Sequence, residues 1–544
     1  MRLTRRTRLA GVALLTVAGL TLAACGGSDS GGSSSGASTD AVINVDGSEP
    51  QNPLIPSATN ETGGGNVIDL LFAGLIAYEA DGSSKMEVAK SITSDDNKTW
   101  TVAINTDWKF SDGTPVTSKS FVDAWNDGAL STNGRLSSYF YYPIKGFDEV
   151  QAEKPTTKTL SGLKVVDDAT FTIELNQAEA DFPARLGYSA FYPLPEAAFK
   201  DFEAFGENPV GNGPYKLAKE GAWVHDKEIS LAPNTDYKGI RQAKNGGVTF
   251  KFYTNLDAAY TDIQAGNLDI LKSVPDSALS TFEKDSSIQP FSEPGSVFQS
   301  FVIPETAKHF GQNEEGTLRR QAISKAIDRA QVTDKIFSGT RTPAKDFSSP
   351  LMPGYSDSIP GNEVLTFDKA AAKDLWAKAD AISKWDGNFR IAYNGDGGHD
   401  AWVNAVTNQI KNTLGIDAEG KSYPTFAELR TDVTKRTIKT AFRSGWQPDY
   451  PSIYNYLAPL YATGAGSNDG DYSSKEFDTL IEKAAAEETE DGRYKLYNEA
   501  QAVLMKDLPV IPLWYSNISA AAAKGVDNVS FNWQNLPEYQ LATK

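Results

Sequence analysis

The chain predicts an α/β fold in two lobes, and three observations carry that expectation. About 500 residues follow a polar tract near the N-terminus, well past the roughly 250 to 300 at which one hydrophobic core stops growing. Strand and helix signatures alternate along that length. Tyr, Phe and Trp number 22, 26 and 10, enough aromatic bulk for a large interior or a wide cleft.

The first 25 residues read MRLTRRTRLAGVALLTVAGLTLAAC. Arg2, Arg5, Arg6 and Arg8 precede an apolar run from Leu9 to Ala24, which is too short to span a membrane and is followed at once by Gly and Ser; residues 1–24 are expected to be a signal peptide. Arg5 and Arg6 form a partial twin-arginine pattern, so both export routes stay open. Leu22, Ala23, Ala24 and Cys25 make a lipobox. Cys25 is the only cysteine, so no disulfide framework exists, and at this junction lipidation is expected rather than burial as a small apolar side chain. Several acyl chains on one residue suffice for stable anchoring. Residues 25–40 continue as a Gly- and Ser-rich tether with a reach of roughly 20 Å. The body is thus expected at the extracytoplasmic face of the membrane, held there by lipid alone.

AVINVDG, residues 41–47, alternates like an opening strand, and a turn-rich loop then leads to a short helix expected from Asn66 to Gly74. In residues 99–130, Trp100, Val102 and Ile104 alternate as a strand, Asp112 and Gly113 turn the chain, and Thr117 caps a helix with Phe121, Ala124 and Trp125 on one face. RLSSYFYYP places Tyr139 beside Phe140, Tyr141 and Tyr142, aromatics suited to a cleft wall or to core packing. NPVGNGPYKL, residues 208–217, contains no G-x-x-x-x-G-K-S/T or G-x-G-x-x-G string and reads as tight turning. Residues 255–271 form an amphipathic helix followed by a strand, and Leu318, Ala322, Ile323, Ala326 and Ile327 line one face of a later helix. Residues 389–417 run strand, Gly-rich turn, helix, with His399 at the helix start. His225 and His309 are the other two histidines, too few for a multi-histidine metal site, and TGAGSNDGDY lacks the acid spacing of an EF-hand; no cofactor is expected. A helix from Ser474 to Glu487 and a final apolar strand complete the chain.

RSGWQPDY, residues 443–450, sets Arg443 and Asp449 six positions apart beside Trp446. An arginine fork grips a carboxylate bidentately and a partly buried aspartate holds an ammonium, so the pair matches the two ends of a zwitterion such as a peptide. Fully extended, those six positions span roughly 20 Å against roughly 10 to 14 Å for a short peptide, so the segment must bend, and Gly445 and Pro448 are the residues expected to allow it. The alternative is a strand end whose Arg and Asp meet solvent or each other.

The octet, with its continuation PSIYNYL, resembles the ligand-contacting segment of the family 5 extracellular solute-binding proteins, the oligopeptide and dipeptide receptors of ABC importers, in an actinobacterial-type lipoprotein form. FSDGTPVT at residues 110–117, NPVGNGPYKL and the segment from Gly316 resemble further blocks of that family, in its order. The resemblance implies that Asp449 holds a ligand's α-ammonium and that Arg443 takes the carboxylate of a short peptide. It also implies main-chain hydrogen bonds at Gly445 and Gln447, a backbone contact at Tyr139, and a contact from His399 to longer ligands, where a helix-terminus hydrogen bonder is the other reading. It further implies that Trp446 lies beside the ligand. A ligand-facing acid of the family falls on Asn60 by ungapped match, with Glu61 one place later. The implied fold is the two-lobed periplasmic-binding-protein fold of class II, cluster C, with an extra inserted domain. Domain I then comprises 41–78, 206–297 and 513–544, domain II is 79–205, and domain III is 298–512.

The net charge is −18, or −22 once the four arginines ahead of Cys25 are set aside, which excludes nucleic acid as the expected partner. The resemblance implies a monomeric receptor that closes on a peptide and delivers it to ABC permease subunits, and no enzyme. Relatives that carry oligosaccharides, nickel, haem or opines keep a non-peptide cargo as the alternative within this class. A cell-wall hydrolase would use paired carboxylates, but acids are expected on any surface and the G-x-S-x-G string at Gly32–Gly36 lies in the tether. A passive adhesin or signalling lipoprotein would keep the fold without the ligand.

Overall fold

The computed structural model describes residues 40–544 except Gln51, Asn60, Glu61, Asp276, Asp396, Gly397 and Thr425. The signal peptide, Cys25, most of the tether, Asn60 and Glu61 therefore lie outside the described residues.

Two long antiparallel strands organise the body, Ile288–Val302 and Val510–Ala523, paired from Ile288 opposite Ala523 to Val302 opposite Val510. They are the middle of one mixed sheet. Beyond Val510–Ala523 lie Ile270–Leu271, the opening strand Val42–Gly47, Gly247–Phe252 and Glu228–Pro233; beyond Ile288–Val302 lie Ala441–Trp446, Phe389–Asn394 and Ala418–Tyr423. Val42–Gly47 is parallel to both of its neighbours, which helix Leu256–Gln264 makes possible as a crossover between Gly247–Phe252 and Ile270–Leu271. Asn255 starts that helix by accepting from the Asp257 amide at 2.8 Å.

The sheet joins two hydrophobic clusters. One holds Ile43, Val45, Val248, Ile288 and Ala521–Ala523; the other holds Phe298, Phe301, Ile391, Phe442, Ile511 and Trp514. Between them the register of the long pair slips between Glu293 and Val297. Pro294 cannot donate to a ladder, and a Cβ on Gly295 would lie 2.1 Å from the Ser516 carbonyl oxygen, so the strand bulges here. A bulge bends its strand, and this one sits where one core gives way to the other.

A separate four-stranded sheet carries Thr99–Ile104 at its centre beside Thr170–Glu174. Its cover is helix Ser118–Ala129, begun at Thr117, whose amide donates to the Ser120 hydroxyl at 3.2 Å. Phe121 stacks on Phe171 at 6.0 Å, and the fully buried Trp125 meets Phe171 edge-on at 5.6 Å while its indole N–H reaches the Phe191 carbonyl. The turn at Asp112–Gly113 forms as the sequence implies, with Gly113 at φ +88° and the Asp112 side chain accepting from Thr114.

Three expectations need correction. The first helix spans Thr62–Leu71 rather than Asn66 to Gly74. It stops early because the Asn212 side chain takes both the amide and the carbonyl of Ala73, at 3.0 Å each, so those groups are already used. The glycines of NPVGNGPYKL serve close approach rather than tight turning: a Cβ on Gly211 would lie 1.9 Å from the Leu71 carbonyl oxygen, and one on Gly213 would lie 2.5 Å from the backbone at Leu71 and Phe72. Gly213→Ala is therefore expected to cost roughly 2 to 4 kcal/mol, read as a lower thermal midpoint. A midpoint unchanged from wild type would mean that the backbones can separate freely. Third, the apolar face predicted around Leu318 is only part of helix Glu314–Lys325, whose Arg319 and Arg320 are also buried. Arg319 lies over the Trp376 ring at 4.5 Å and pairs with Glu315 and Asp380, while Arg320 donates to the Ile303 and Phe310 carbonyls.

Candidate functional site

Strand Ala441–Trp446 runs antiparallel to Ile288–Val302, with Arg443 opposite Phe301 and Gly445 opposite Gln299. The strand buries Ala441 and Phe442 and leaves Arg443 half-buried, its Nε donating to Asn394 Oδ1 at 2.8 Å. Asn394 ends the neighbouring parallel strand and is buried. Gly445 is not a bend. It is a strand residue, and a Cβ there would stand 3.0 Å from the Phe298 carbonyl oxygen. The chain leaves the strand only at Gln447 and Pro448, of which Gln447 is exposed.

The loop that follows is fixed by one amide that sequence reasoning missed. Asn455 Oδ1 accepts from the Trp446 indole at 2.9 Å and from the Asp449 backbone N–H at 3.0 Å, while its Nδ2 donates to Asp449 Oδ2 at 3.1 Å. Asn455 is held by helix Ile453–Tyr461, which Ser452 caps through the Tyr454 amide. A polar residue inside the apolar run IYNYL was the available signal, since a buried amide requires partners.

Asp449 is half-buried, and among the described residues no ion pair holds it. Burial pushes its pKa up to about 6, a rise that the Asn455 hydrogen bond and the Arg185 charge only partly offset. Four tyrosines feel its charge in return: burial raises the hydroxyl pKa of Tyr78, Tyr139, Tyr188 and Tyr456 above the usual range, and the Asp449 carboxylate adds to each. Tyr139 is 53% exposed and packs on Phe140 at 4.4 Å, which in turn packs on Tyr188 at 4.1 Å. Of the aromatic run after Arg135, Phe140 and Tyr141 are core, so Tyr139 and Tyr142 are the rings left at the surface.

His399 stands at the start of helix Asp400–Leu414, and its Nδ1 accepts from the Trp402 indole at 3.1 Å. That bond puts the ring proton of the neutral form on Nε2. The ring lines a cavity of about 470 Å³ with Gln299, Arg341 and Trp514. Gln299 is opposite Gly445, and its side-chain amide donates to the Ser444 carbonyl, so this cavity adjoins the strand that carries Arg443.

The rear of the Asp449 loop meets the segment around residue 180. Arg185 pairs with Glu179 at 2.6 Å, each side chain 4% exposed, and lies 5.1 Å from the rings of both Tyr142 and Tyr450. Asp181 accepts from the Ser452 hydroxyl and from Tyr497 at 3.1 Å. The segment around residue 180 and the Asp449 stretch, 271 residues apart at Asp181 and Ser452, thus hold each other directly.

Comparison with known proteins agrees with this architecture. Residues 85–468 match the family described as bacterial extracellular solute-binding proteins, family 5. The oligopeptide-binding protein OppA of Bacillus subtilis is 27% identical over 481 residues, 85% of each chain. The periplasmic murein peptide-binding protein MppA of Escherichia coli is 27% identical over 468 residues, 83% of each. The crystal structure of Haemophilus influenzae OppA in complex with RPPGFSPFR superposes with a TM-score of 0.70 at 21% identity, covering 93% of this chain and 99% of that one. The fold is accordingly that of the two-lobed periplasmic binding proteins. With the matched segment covering well over half of its length, the chain belongs to the bacterial extracellular solute-binding proteins of family 5.

Proposed function

We propose that the protein is an extracytoplasmic receptor that takes short peptides between its lobes and hands them to an ABC permease, without chemistry on the ligand. Asp449 carries the reading. A half-buried carboxylate with one amide donor, no ion pair among the described residues and a surround of tyrosines is incompletely satisfied, and a peptide's α-ammonium supplies the missing charge. Arg443 takes the carboxylate of a short ligand, the exposed main chain at Gly445 and Gln447 offers strand-like hydrogen bonds, Trp446 and Tyr139 border the ligand, and His399 serves longer ones. Asn60 and Glu61 are proposed to face the ligand from the first lobe. The peptide names of the relatives support this cargo over an uncharged sugar, which would bring no counter-charge to the Asp449 carboxylate in a closed cleft.

The same reading assigns residues 1–24 to a signal peptide and Cys25 to lipidation, so that a monomer is tethered to the membrane by lipid through residues 25–40. Domain I comprises 41–78, 206–297 and 513–544, domain II is 79–205 and domain III is 298–512; closure occurs about the bulged long strands.

Acid should oppose binding. In the free protein Asp449 titrates near 6, and a bound ammonium favours the ionised form, so below pH 6 binding must first release a proton. Affinity for trialanine is expected to be flat between pH 6.5 and 7.5 and roughly tenfold weaker at pH 5, with proton release on binding at the lower pH. Calorimetry in two buffers of different ionisation heat measures both. Equal affinities at pH 5 and 7.5 with no proton release would remove Asp449 from the ammonium site.

A further inference from the structure

A polar recess of about 90 Å³ opens beside the Asp449 loop, lined by Asn66, Asp69, Tyr78, Tyr188, Arg241 and Tyr539 among others. It has room for roughly six waters or for one long side chain. Two of its walls end in polar atoms with no hydrogen-bond partner, Asn66 Nδ2 and the Tyr539 hydroxyl, in residues only 3% and 4% exposed. Buried polar atoms without partners are rare in folded proteins, and two on one recess mark a place that expects a guest.

The charge of the recess indicates which guest. Arg241 is already committed: it faces Glu87, itself fully buried, at 3.4 Å and donates to the Asp69 and Phe72 carbonyls. Glu87 is further held by the Tyr237 hydroxyl. That leaves the Asp69 carboxylate, which accepts from Tyr192 at 3.2 Å, and Glu538 at the rim, which accepts from Ser530. Three acids therefore share one arginine. Burial raises the Asp69 pKa, and Arg241 and the Tyr192 hydroxyl only partly offset it.

The recess is also next to the ammonium site. Tyr78 and Tyr188 both line it, and each feels Asp69 as well as Asp449. Trp533, another lining residue, meets Tyr78 edge-on at 5.3 Å, and a Cβ on Gly82 would touch both Pro451 and Trp533.

We propose that this recess is a specificity pocket for a basic side chain, lysine or arginine, on one of the first two residues of a peptide whose ammonium sits on Asp449. The cation pairs with Asp69, and waters carried with it meet Asn66 Nδ2 and the Tyr539 hydroxyl. The inference rests on the peptide reading above.

Calorimetric titration of the protein with trialanine, and with tripeptides carrying one lysine or one glutamate at each position in turn, tests it. Lysine at the first or second position should bind about tenfold or more tightly than glutamate there, the ratio expected of a desolvated ion pair. Asp69→Asn should erase that lysine-over-glutamate ratio. The proposal is overturned if neither of the first two positions discriminates, if only the third does, or if the ratio survives Asp69→Asn. Should that variant fail to fold, the wild-type ratios still decide. Trialanine separates the two levels: if it binds and charge is ignored, only the pocket fails, whereas if no peptide binds, the peptide reading fails and the pocket with it.

Discussion

Asp449→Asn is expected to bind every peptide from dipeptide to pentapeptide roughly 30-fold to several thousand-fold more weakly than wild type, the loss that follows when one partner of a buried charge pair is removed. All peptides share an α-ammonium, so the loss should not depend on ligand length. The unliganded variant should be more stable, not less. A carboxyl group whose folded pKa is near 6 and whose unfolded pKa is near 3.9 loses stability as pH rises through that window, and at pH 7 the ionised form has lost it fully. Asparagine removes the charge and can keep an oxygen for Asn455 Nδ2, so a gain on the order of 1 kcal/mol is expected. Thermal unfolding of the free protein together with titration measures both signs. A variant that binds like wild type would make the octet scaffold.

Arg185→Leu is expected to destabilise the protein by roughly 3 to 5 kcal/mol, because it leaves Glu179 buried without a counter-charge. It also strips the guanidinium from between Tyr142 and Tyr450, the residue next to Asp449, so peptide affinity should fall as well. Arg185→Leu combined with Glu179→Leu should recover much of the stability, since two apolar side chains need no partners. It should not recover the affinity, because the ring contact stays lost. Unfolding midpoints and titrations on the two variants and wild type check this. Equal midpoints for the single variant and wild type would mean that water reaches Glu179.

Local pattern carried much of this fold. Trp100, Val102 and Ile104 alternate because one face of their strand is core, and Asp112–Gly113 turns because glycine accepts φ +88°. What escaped was set by distant contacts. Nothing near Ala73 says that Asn212 will end its helix, and nothing beside Gly213 says that the Leu71 backbone will press on it. Nothing in the sequence around Arg319 and Arg320 says that Trp376, Glu315 and two carbonyls will be brought to them.

The site divides in the same way. Arg443, Trp446 and Asp449 could be proposed together from sequence because their chemistry is contiguous there. Gly445 was misread as a bend, since glycine also suits a strand that presses on a neighbouring carbonyl. Asn455 was overlooked in an apolar run although it holds Trp446 and Asp449 together. Asp69, 380 positions before Asp449, could be related to it only through the tyrosines they share.

Titration of the wild-type protein with one tripeptide, free and N-acetylated, bears most directly on the central claim. Acetylation deletes the ammonium and leaves the backbone, side chains and carboxylate in place. The account predicts that the free peptide binds and is recovered intact, and that the acetylated one binds at least about 30-fold more weakly at pH 7. Equal affinities for the two peptides would contradict it.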